Sequence, residues 1–251
     1  MNKIVVVDDT IEKSNITNKI KLNIETFKGI FAITNIDINI LSSTNLELEI
    51  IETEKKAKIT MNIEDNCNAY IYIYEKNNDS KLQYKYILGK NSKLTIKKFK
   101  YGFGGKEMIE TTLDKENSCF DYLLKSVCTK KEIYDYYIYH KAPKTFSSIC
   151  NDIITLDKGS IQLQTSLFVP IGNDKCISKH SNNIINLNNK KSDVRPNFYI
   201  DQFDTSIEST TFIGIEKEEK IIDILLNNVN NNNMENKIIK TFKEEGGELY
   251  Q

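Results

Sequence analysis

The stretch AYIYIYEKNNDSKLQYKYILGKNSKLTIKKFKY, residues 69–101, decides the fold class. It contains three segments in which apolar and polar residues alternate: AYIYIYEK (69–76), LQYKYIL (82–88) and KLTIKKFKY (93–101). Period-two alternation rich in Ile, Tyr, Phe and Thr is typical of half-buried strands. The stretch therefore predicts three strands joined by the short polar turns KNNDS and LGKNS.

The same pattern continues from residue 20 to about residue 213, for example in IYDYYIYH (133–140) and SIQLQTSLFV (160–169). Polar breaks such as LDKEN, LDKGS and IGNDK recur at short intervals, as expected of a mainly β domain with many strands. Two-residue Asn-Gly and Asp-Gly turns are missing, which disfavours a meander of tight hairpins. The pattern leaves two architectures open, a β-solenoid and a sandwich of two sheets.

The composition changes after Gly214. The segment IEKEEKIIDILLNN (215–228) opens with acidic residues and then places isoleucine and leucine on one side, as in a short helix with favourable charge at its N-terminus. The segment MENKIIKTF (234–242) has apolar residues at helical spacing after a candidate asparagine N-cap. We therefore predict a strand-built core over 1–214 and a C-terminal helical segment over 215–251.

The charges of the chain disfavour nucleic acid and membranes as partners. Its 34 basic and 35 acidic residues give a formal net charge of −1, and Arg195 is the only arginine available for bidentate contacts to phosphate or guanine. The apolar runs are only a few residues long, whereas a membrane-spanning helix needs about 20. The start MNKIVVVDDT does not resemble a signal peptide, so we expect a cytoplasmic protein.

The cysteines and glycines suggest no cofactor site. Five scattered cysteines without a CxxC pair fit neither a disulfide framework nor a zinc site and are expected to be small apolar residues. The segment GFGGKE (102–107) lacks the spacing of a phosphate-binding loop and predicts a turn.

Asp201, Asp204 and Glu208 are the candidates for a different function. Paired carboxylates in a β-solenoid are typical of carbohydrate-active enzymes, where they do acid–base work or bind calcium. Strand alternation places Asp201 on one side and the other two on the opposite side, so the three do not converge. A carbohydrate-active enzyme or binding module is the alternative function.

The last 110 residues or so carry a family resemblance. Six segments follow one another in order: HKAPKTFSS (140–148), DKGSIQLQTSLFVPIGNDK (157–175), NNIINL (182–187), DVRPNFYI (193–200), FIG (212–214) and VNNNNMENKIIKTF (229–242). Their order and spacing resemble those of the SufB/SufD family, the scaffold subunits of SUF iron–sulfur cluster assembly, and the chain is closer to SufD. The resemblance implies a right-handed parallel β-helix, a partner subunit bound through its last strands, and a C-terminal helical domain that docks the ABC-type ATPase SufC. It also implies that the helical N-terminal domain of usual members is lacking.

Compared residue by residue, the ligand chemistry of the family is missing. Ser181 stands where SufB is thought to use a cysteine, and a hydroxyl cannot replace a thiolate as an iron ligand or sulfur acceptor. Ile207 and Ser209 stand where SufD-like chains have cysteine and histidine, and Glu208 matches a glutamate of SufB. The resemblance thus implies a non-catalytic scaffold or adaptor without a permanent cofactor, which at most shares a transient iron–sulfur cluster with a partner.

The resemblance assigns two contact regions and leaves a few weaker candidates. His180 and Cys176 are weak ligand candidates, and His140 is expected to make structural hydrogen bonds at a corner. The partner subunit, either a SufB-like chain or a second copy, is expected to contact Pro196, Phe198, Ile200, Ile207, Glu208 and Ser209. The SufC-like ATPase is expected to depend on Glu218, Glu219, Ile238, Ile239 and Phe242.

Overall fold

A computed structural model describes residues 2–7, 10–27, 33–51, 56–77, 79–102, 104–188, 190–214 and 221–245. One sheet contains β1 (Asn2–Val7), β2 (Thr10–Asn15), β5 (Thr44–Ile51), β7 (Asn68–Asn77), β9 (Lys93–Gly102), β11 (Cys119–Cys128), β13 (Phe146–Thr155), β15 (Cys176–Asn186) and β17 (Thr205–Gly214). The other contains β3 (Ile20–Phe27), β4 (Ile33–Ile40), β6 (Lys56–Ile63), β8 (Ser80–Leu88), β10 (Gly105–Leu113), β12 (Lys131–His140), β14 (Ser160–Val169) and β16 (Asp193–Ile200). Two helices follow, α1 (Ile221–Leu226) and α2 (Asn232–Glu245).

From β4 onward the chain alternates between the two sheets, and each strand pairs in parallel with the strand two positions later. This is a parallel β-solenoid of about six turns. The prediction of a mainly β solenoid with short C-terminal helices is therefore confirmed. The predicted strand-built core over 1–214 also contains β1 and β2, which precede the alternating segments; the apolar run IVVV of β1 does not alternate.

The register between coils places inward-facing residues of successive coils directly above one another, so that they form continuous interior rows. One inward row of the β5–β15 sheet consists of Leu46, Ile71, Ile96, Tyr122, Ile149 and His180, all of them buried. Each large apolar side chain in such a row contributes roughly 1.5–3 kcal/mol relative to an exposed one. The interior rows are the main source of stability of the solenoid.

A repeated corner leads into the strands of the first sheet. The residues at this corner each have a left-handed backbone, with φ between 52° and 59°: Asn66 (59°), Asn91 (52°), Asn117 (59°), Lys144 (55°) and Lys175 (58°). The first three also stack their side chains, because Asn91 Nδ2 donates to Asn66 Oδ1 and Asn117 Nδ2 to Asn91 Oδ1, both at 3.0 Å. Asparagine tolerates this conformation better than most residues, which explains its use at the corner.

The two ends of the solenoid differ. At the N-terminal end, β2 pairs antiparallel with β1 and β3 pairs antiparallel with β4, so these strands close both sheets. At the C-terminal end, β16 and β17 pair on one side only among the described residues. The last coil is therefore an open end.

The helices pack on the outer face of the β5–β17 sheet. Leu225, Val229, Met234 and Ile238 form a buried apolar cluster with the outward side chains of that sheet, such as Phe99. Asn231 Oδ1 accepts the backbone N–H of Met234 at 3.0 Å, which confirms the predicted asparagine N-cap of α2.

Candidate partner interface

The last coil exposes side chains that point toward the interior in every earlier coil. Phe198 is in register with Leu167, Ile200 with Val169, and Ile213 with Ile184, and these three partners are buried. Phe198, Ile200 and Ile213 are 39%, 38% and 43% exposed because no further coil among the described residues covers them. An exposed apolar patch of this kind at the end of a solenoid is typical of a protein contact surface.

The free edge of β16 offers backbone groups for strand pairing. The N–H of Asp201 donates to the carbonyl of Val169 at 2.9 Å, so odd-numbered residues of β16 point their backbone groups at β14. The N–H groups of Val194, Phe198 and Ile200 therefore lie on the free edge. Pro196 shares that edge, where a missing N–H costs no hydrogen bond to β14.

The other residues predicted for the interface divide between the two faces of β17. Ile207 packs half-buried against the interior cluster, and Ser209 is exposed in register with His180. Glu208 points outward and forms an ion pair with Lys179 at 3.1 Å. All six predicted interface residues thus belong to β16 or β17, but Glu208 does not share the inward face.

A buried chain of polar groups runs beneath the open end. His180 Nε2 lies 3.0 Å from Ser178 Oγ, which lies 2.6 Å from Ser147 Oγ, which lies 2.9 Å from His140 Nε2. His140 Nδ1 lies 2.7 Å from Thr145 Oγ1, so the expected structural hydrogen bonds of this corner histidine are present. His180 Nδ1 is buried without a hydrogen-bond partner among the described residues.

Burial lowers the pKa of both histidines to about 4; the positive charge of His180 adds to the effect on His140. Both rings are therefore neutral near pH 7. Cys176 Sγ contacts Thr145 Oγ1 at 3.2 Å and donates to the carbonyl of Asn173 at 3.2 Å. Within the described part of the chain, neither Cys176 nor His180 belongs to a group of three or more residues able to hold a metal ion.

An aromatic stack on the outer face of the β16 sheet ends at the same coil. The rings of Tyr139 and Phe168 are 4.7 Å apart, and those of Phe168 and Tyr199 are 4.8 Å apart, with nearly parallel planes. Tyr199, the last of the three, is exposed. Its outer ring face is available to a planar or cationic group from a partner.

The helical tail, which consists of α1, α2 and the turn between them, is held to the outer face of the sheet by polar contacts as well as by the apolar cluster. Lys125 Nζ donates to the carbonyl of Ile224 at 2.7 Å, and Lys97 Nζ donates to that of Asn228 at 2.6 Å. Ile238 is fully buried in the contact with the sheet, so it can position the tail but offers no surface to a partner. Ile239 is half-buried on α2.

The other residues predicted for the ATPase contact are less fully described. Glu218, Glu219 and the side chain of Phe242 lie outside the described residues.

Sequence reasoning missed a cluster of charges inside the solenoid. Lys98 forms ion pairs with Glu75 and Glu107, and Lys100 lies 3.2 Å from Glu132; all five side chains are enclosed between the sheets. Buried tyrosines complete the cluster: Tyr84 donates to Glu75 at 2.9 Å, Tyr122 to Glu107 at 3.3 Å, and Tyr134 to Glu132. Strand alternation in KLTIKKFKY could have predicted this burial, because Lys98 and Lys100 lie on the same side of the strand as the apolar Leu94 and Ile96.

The carboxylates of the alternative function lie on two different elements at the open end. Asp201 and Asp204 lie in the turn after β16, and Glu208 lies on the outer face of β17 beside Lys179. None of the three belongs to a candidate metal-binding group in the described ranges. Ser181 lies on the outer face in register with Cys150, one coil away.

No helix among the described residues is long and apolar enough to cross a membrane. No protein-family model matches the chain, and a search of curated proteins gives no significant match.

Proposed function

We propose that this chain is a non-catalytic scaffold or adaptor subunit of a SUF-type iron–sulfur cluster assembly complex. Its last coil pairs with a SufB/SufD-type subunit, and its helical tail docks a SufC-type ATPase. The observation that carries the proposal is the uncovered last coil: its apolar residues and free strand edges lie in segments 193–200 and 205–214, where the sequence resembles that family.

The tail supports a role in transmitting force. Its helices are fastened to the outer face of the solenoid by the apolar cluster around Ile238 and by Lys97 and Lys125. A force that an ATPase applies to α2 is therefore transmitted to the sheet that ends in β17. In this mechanism ATP-driven movement of the tails opens the junction between two paired solenoids, and the partner supplies the sulfur chemistry.

The proposed non-catalytic role follows from the types of residue at the junction with the partner subunit. Ser209, Thr211 and Ser181 offer hydroxyls rather than thiolates, and Glu208 is engaged with Lys179. Iron–sulfur clusters are usually held by thiolates, so a cluster at this junction takes its ligands mainly from the partner. The chain completes the junction and holds no cluster alone.

Co-expression with the SufC-type ATPase of the same organism, with and without its SufB-type protein, tests the proposal. We expect a stable complex by affinity purification and native mass measurement, and its loss on removal of residues 215–251. Ile239→Asp on the half-buried face of α2 should weaken the complex, whereas Asn236→Asp on the exposed face is the matched control. A chain that ignores both proteins would overturn the proposal.

A further inference from the structure

One long corner of the solenoid is lined with lysines. It is the corner that leads into the strands of the sheet containing β16, not the corner at Asn66 and Asn91. Lys56, Lys81 and Lys106 are directly in register there, one in each of three successive coils. Counting the next three coils, six coils each contribute at least one exposed lysine to what we call the lysine ridge: Lys56, Lys81, Lys106, Lys130, Lys131, Lys158, Lys190 and Lys191.

The positive charge of the lysine ridge is not balanced by its surroundings. The described acidic residues at this corner are Asp79, Asp157 and Asp193, and Asp193 already has an ion-pair partner in its own strand. Lys106 pairs with Asp135 at 2.6 Å, whereas the other seven lysines of the ridge form no ion pair with any described residue. Because like charges on adjacent strands repel each other, the ridge favours an anion that lies along it.

The other corner of the same coils has no such excess of charge. Lys115 pairs there with Asp65 at 2.9 Å, and Lys144 pairs with Glu116 at 2.7 Å. The formal net charge of −1 therefore hides a surface that is strongly basic on one side only. The turns of this balanced corner contain five lysines and five acidic residues: Lys90, Lys115, Lys141, Lys144, Lys175, Glu64, Asp65, Asp114, Glu116 and Asp174.

The residue types of the ridge discriminate between classes of anionic partner. The ridge has no arginine for bidentate contacts to phosphate, and its described residues include no exposed aromatic ring on which a base can stack. The exposed large apolar side chains that would insert into a membrane surface lie elsewhere, for example Ile171 at the balanced corner and Tyr70 in β7. Carboxylates need only positive charge, so an acidic polypeptide fits this surface better than nucleic acid or lipid.

We propose that the lysine ridge binds an extended acidic segment of a partner polypeptide. Adjacent strands lie about 4.8 Å apart, so lysines in six coils span about 24 Å. An extended chain rises about 3.3 Å per residue, so about seven residues cover this length. The segment lies across the strands, along the axis of the solenoid. The inference is independent of the proposed function, since it uses neither the helical tail nor the inward side chains of the last coil.

A labelled glutamate peptide tests the ridge directly. By fluorescence anisotropy we expect a peptide of about eight glutamates to bind at about 50 mM salt and to be released by about 500 mM salt, because exposed charges are screened. A peptide of half that length reaches only three coils and should bind roughly tenfold more weakly or worse. Absence of binding at low salt, or equal binding of the two lengths, would overturn the inference.

Two triple variants separate the ridge from net charge. K81Q/K131Q/K158Q removes three lysines of the ridge and should raise the dissociation constant of the longer peptide by roughly tenfold or more. K90Q/K115Q/K144Q changes the net charge equally, but at the corner where each lysine has an acidic neighbour, so its effect should be less than roughly threefold. Equal effects would show that net charge, and not the ridge, determines binding. Thermal unfolding checks that both variants are folded, as expected for substitutions of exposed side chains.

The other classes of partner are tested in competition with the peptide. Oligothymidylate of equal charge and vesicles containing phosphatidylserine should displace the peptide less well than unlabelled peptide does. Stronger displacement by either would assign the ridge to phosphate groups and overturn the inference. A chain that binds the peptide but no SufC-type ATPase keeps this inference and loses the proposed function, and the opposite result does the reverse.

Discussion

Lys98 donates to Glu107 at 2.7 Å midway between the two sheets, and both side chains are wholly enclosed. The same ammonium also pairs with Glu75. With Glu132 and Lys100, the cluster holds three carboxyl groups and two ammonium groups. Burial raises the pKa of Glu107, and the neighbouring charge of Glu75 adds to the rise, whereas Lys98 and Lys100 outweigh burial and lower the pKa of Glu75. Of these two carboxyl groups, Glu107 is therefore the one that gains a proton first as the pH falls.

The two carboxyl groups should respond differently to the same substitution. Glu75→Gln removes one of the two carboxylates paired with Lys98 and should lower the free energy of unfolding by about 3–5 kcal/mol, the usual cost of breaking a buried ion pair. Glu107→Gln removes the carboxyl group whose ionised form is disfavoured by burial and by Glu75, so its cost should be smaller, about 1–3 kcal/mol. Urea unfolding of the two variants checks the order; a larger loss for Glu107→Gln would contradict the opposite pKa shifts of the two carboxyl groups.

The buried histidines predict a pH dependence of stability. Their pKa of about 4 in the folded chain is below the ordinary value of 6.5, so between these values the unfolded chain binds more protons. Stability then rises with pH, and lowering the pH from 7.5 to 5 should cost roughly 1–2 kcal/mol per histidine.

The matching variant is His180→Gln, which keeps a hydrogen bond to Ser178 and cannot titrate. Its unfolding free energy should fall less between pH 7.5 and 5 than that of the native protein. An unchanged difference would mean that His180 does not cause the pH dependence.

The corner asparagines predict a graded effect. Asn91→Ala loses both side-chain hydrogen bonds and puts alanine in a left-handed conformation, which should cost about 1–2 kcal/mol. Asn91→Gly loses the same hydrogen bonds but adopts this backbone freely, so its cost should be smaller. Thermal unfolding of the pair separates the two contributions, and equal losses would show that the backbone conformation contributes nothing.

The tail packing can be tested at its centre. Ile238→Asp places a charge in the apolar cluster and should release α1 and α2 from the sheet while the coils stay folded, because the interior rows do not include Ile238. The expected signs are faster proteolytic loss of the C-terminal segment and dye binding to the uncovered sheet. Asn236→Asp is the control on the exposed face of α2.

Alternation alone was enough to predict most strands, because each coil buries one side of each strand. KEIYDYYIYH buries every second residue from Glu132 to His140, as the pattern requires. The same rule places Glu132 inside, yet a charged residue is normally expected outside, so its buried role was overlooked.

The pairing of residues between successive coils could not be predicted from the sequence. Ile149 lies beside His180, 31 residues later, because the connections 156–159 and 170–175 are both longer than those of the preceding coil, 129–130 and 141–145, and nothing local marks that pairing. The open end was predictable as a segment through the family resemblance. The exposure of Phe198 and Ile200 arises because β16 is the last strand of its sheet in the part of the chain that the structure describes, which only the fold reveals.

The left-handed corners mark a repeat of fixed residue number in the first coils. Leu46, Ile71 and Ile96 follow one another at intervals of 25 residues, and the corners at Asn66 and Asn91 repeat the same backbone at the same interval. A duplication or deletion of one whole interval would keep every inward row continuous, whereas one residue inserted within a strand would turn the rest of that strand to the opposite face. The chain can therefore grow or shrink in evolution by entire turns, which alters its reach without altering either end.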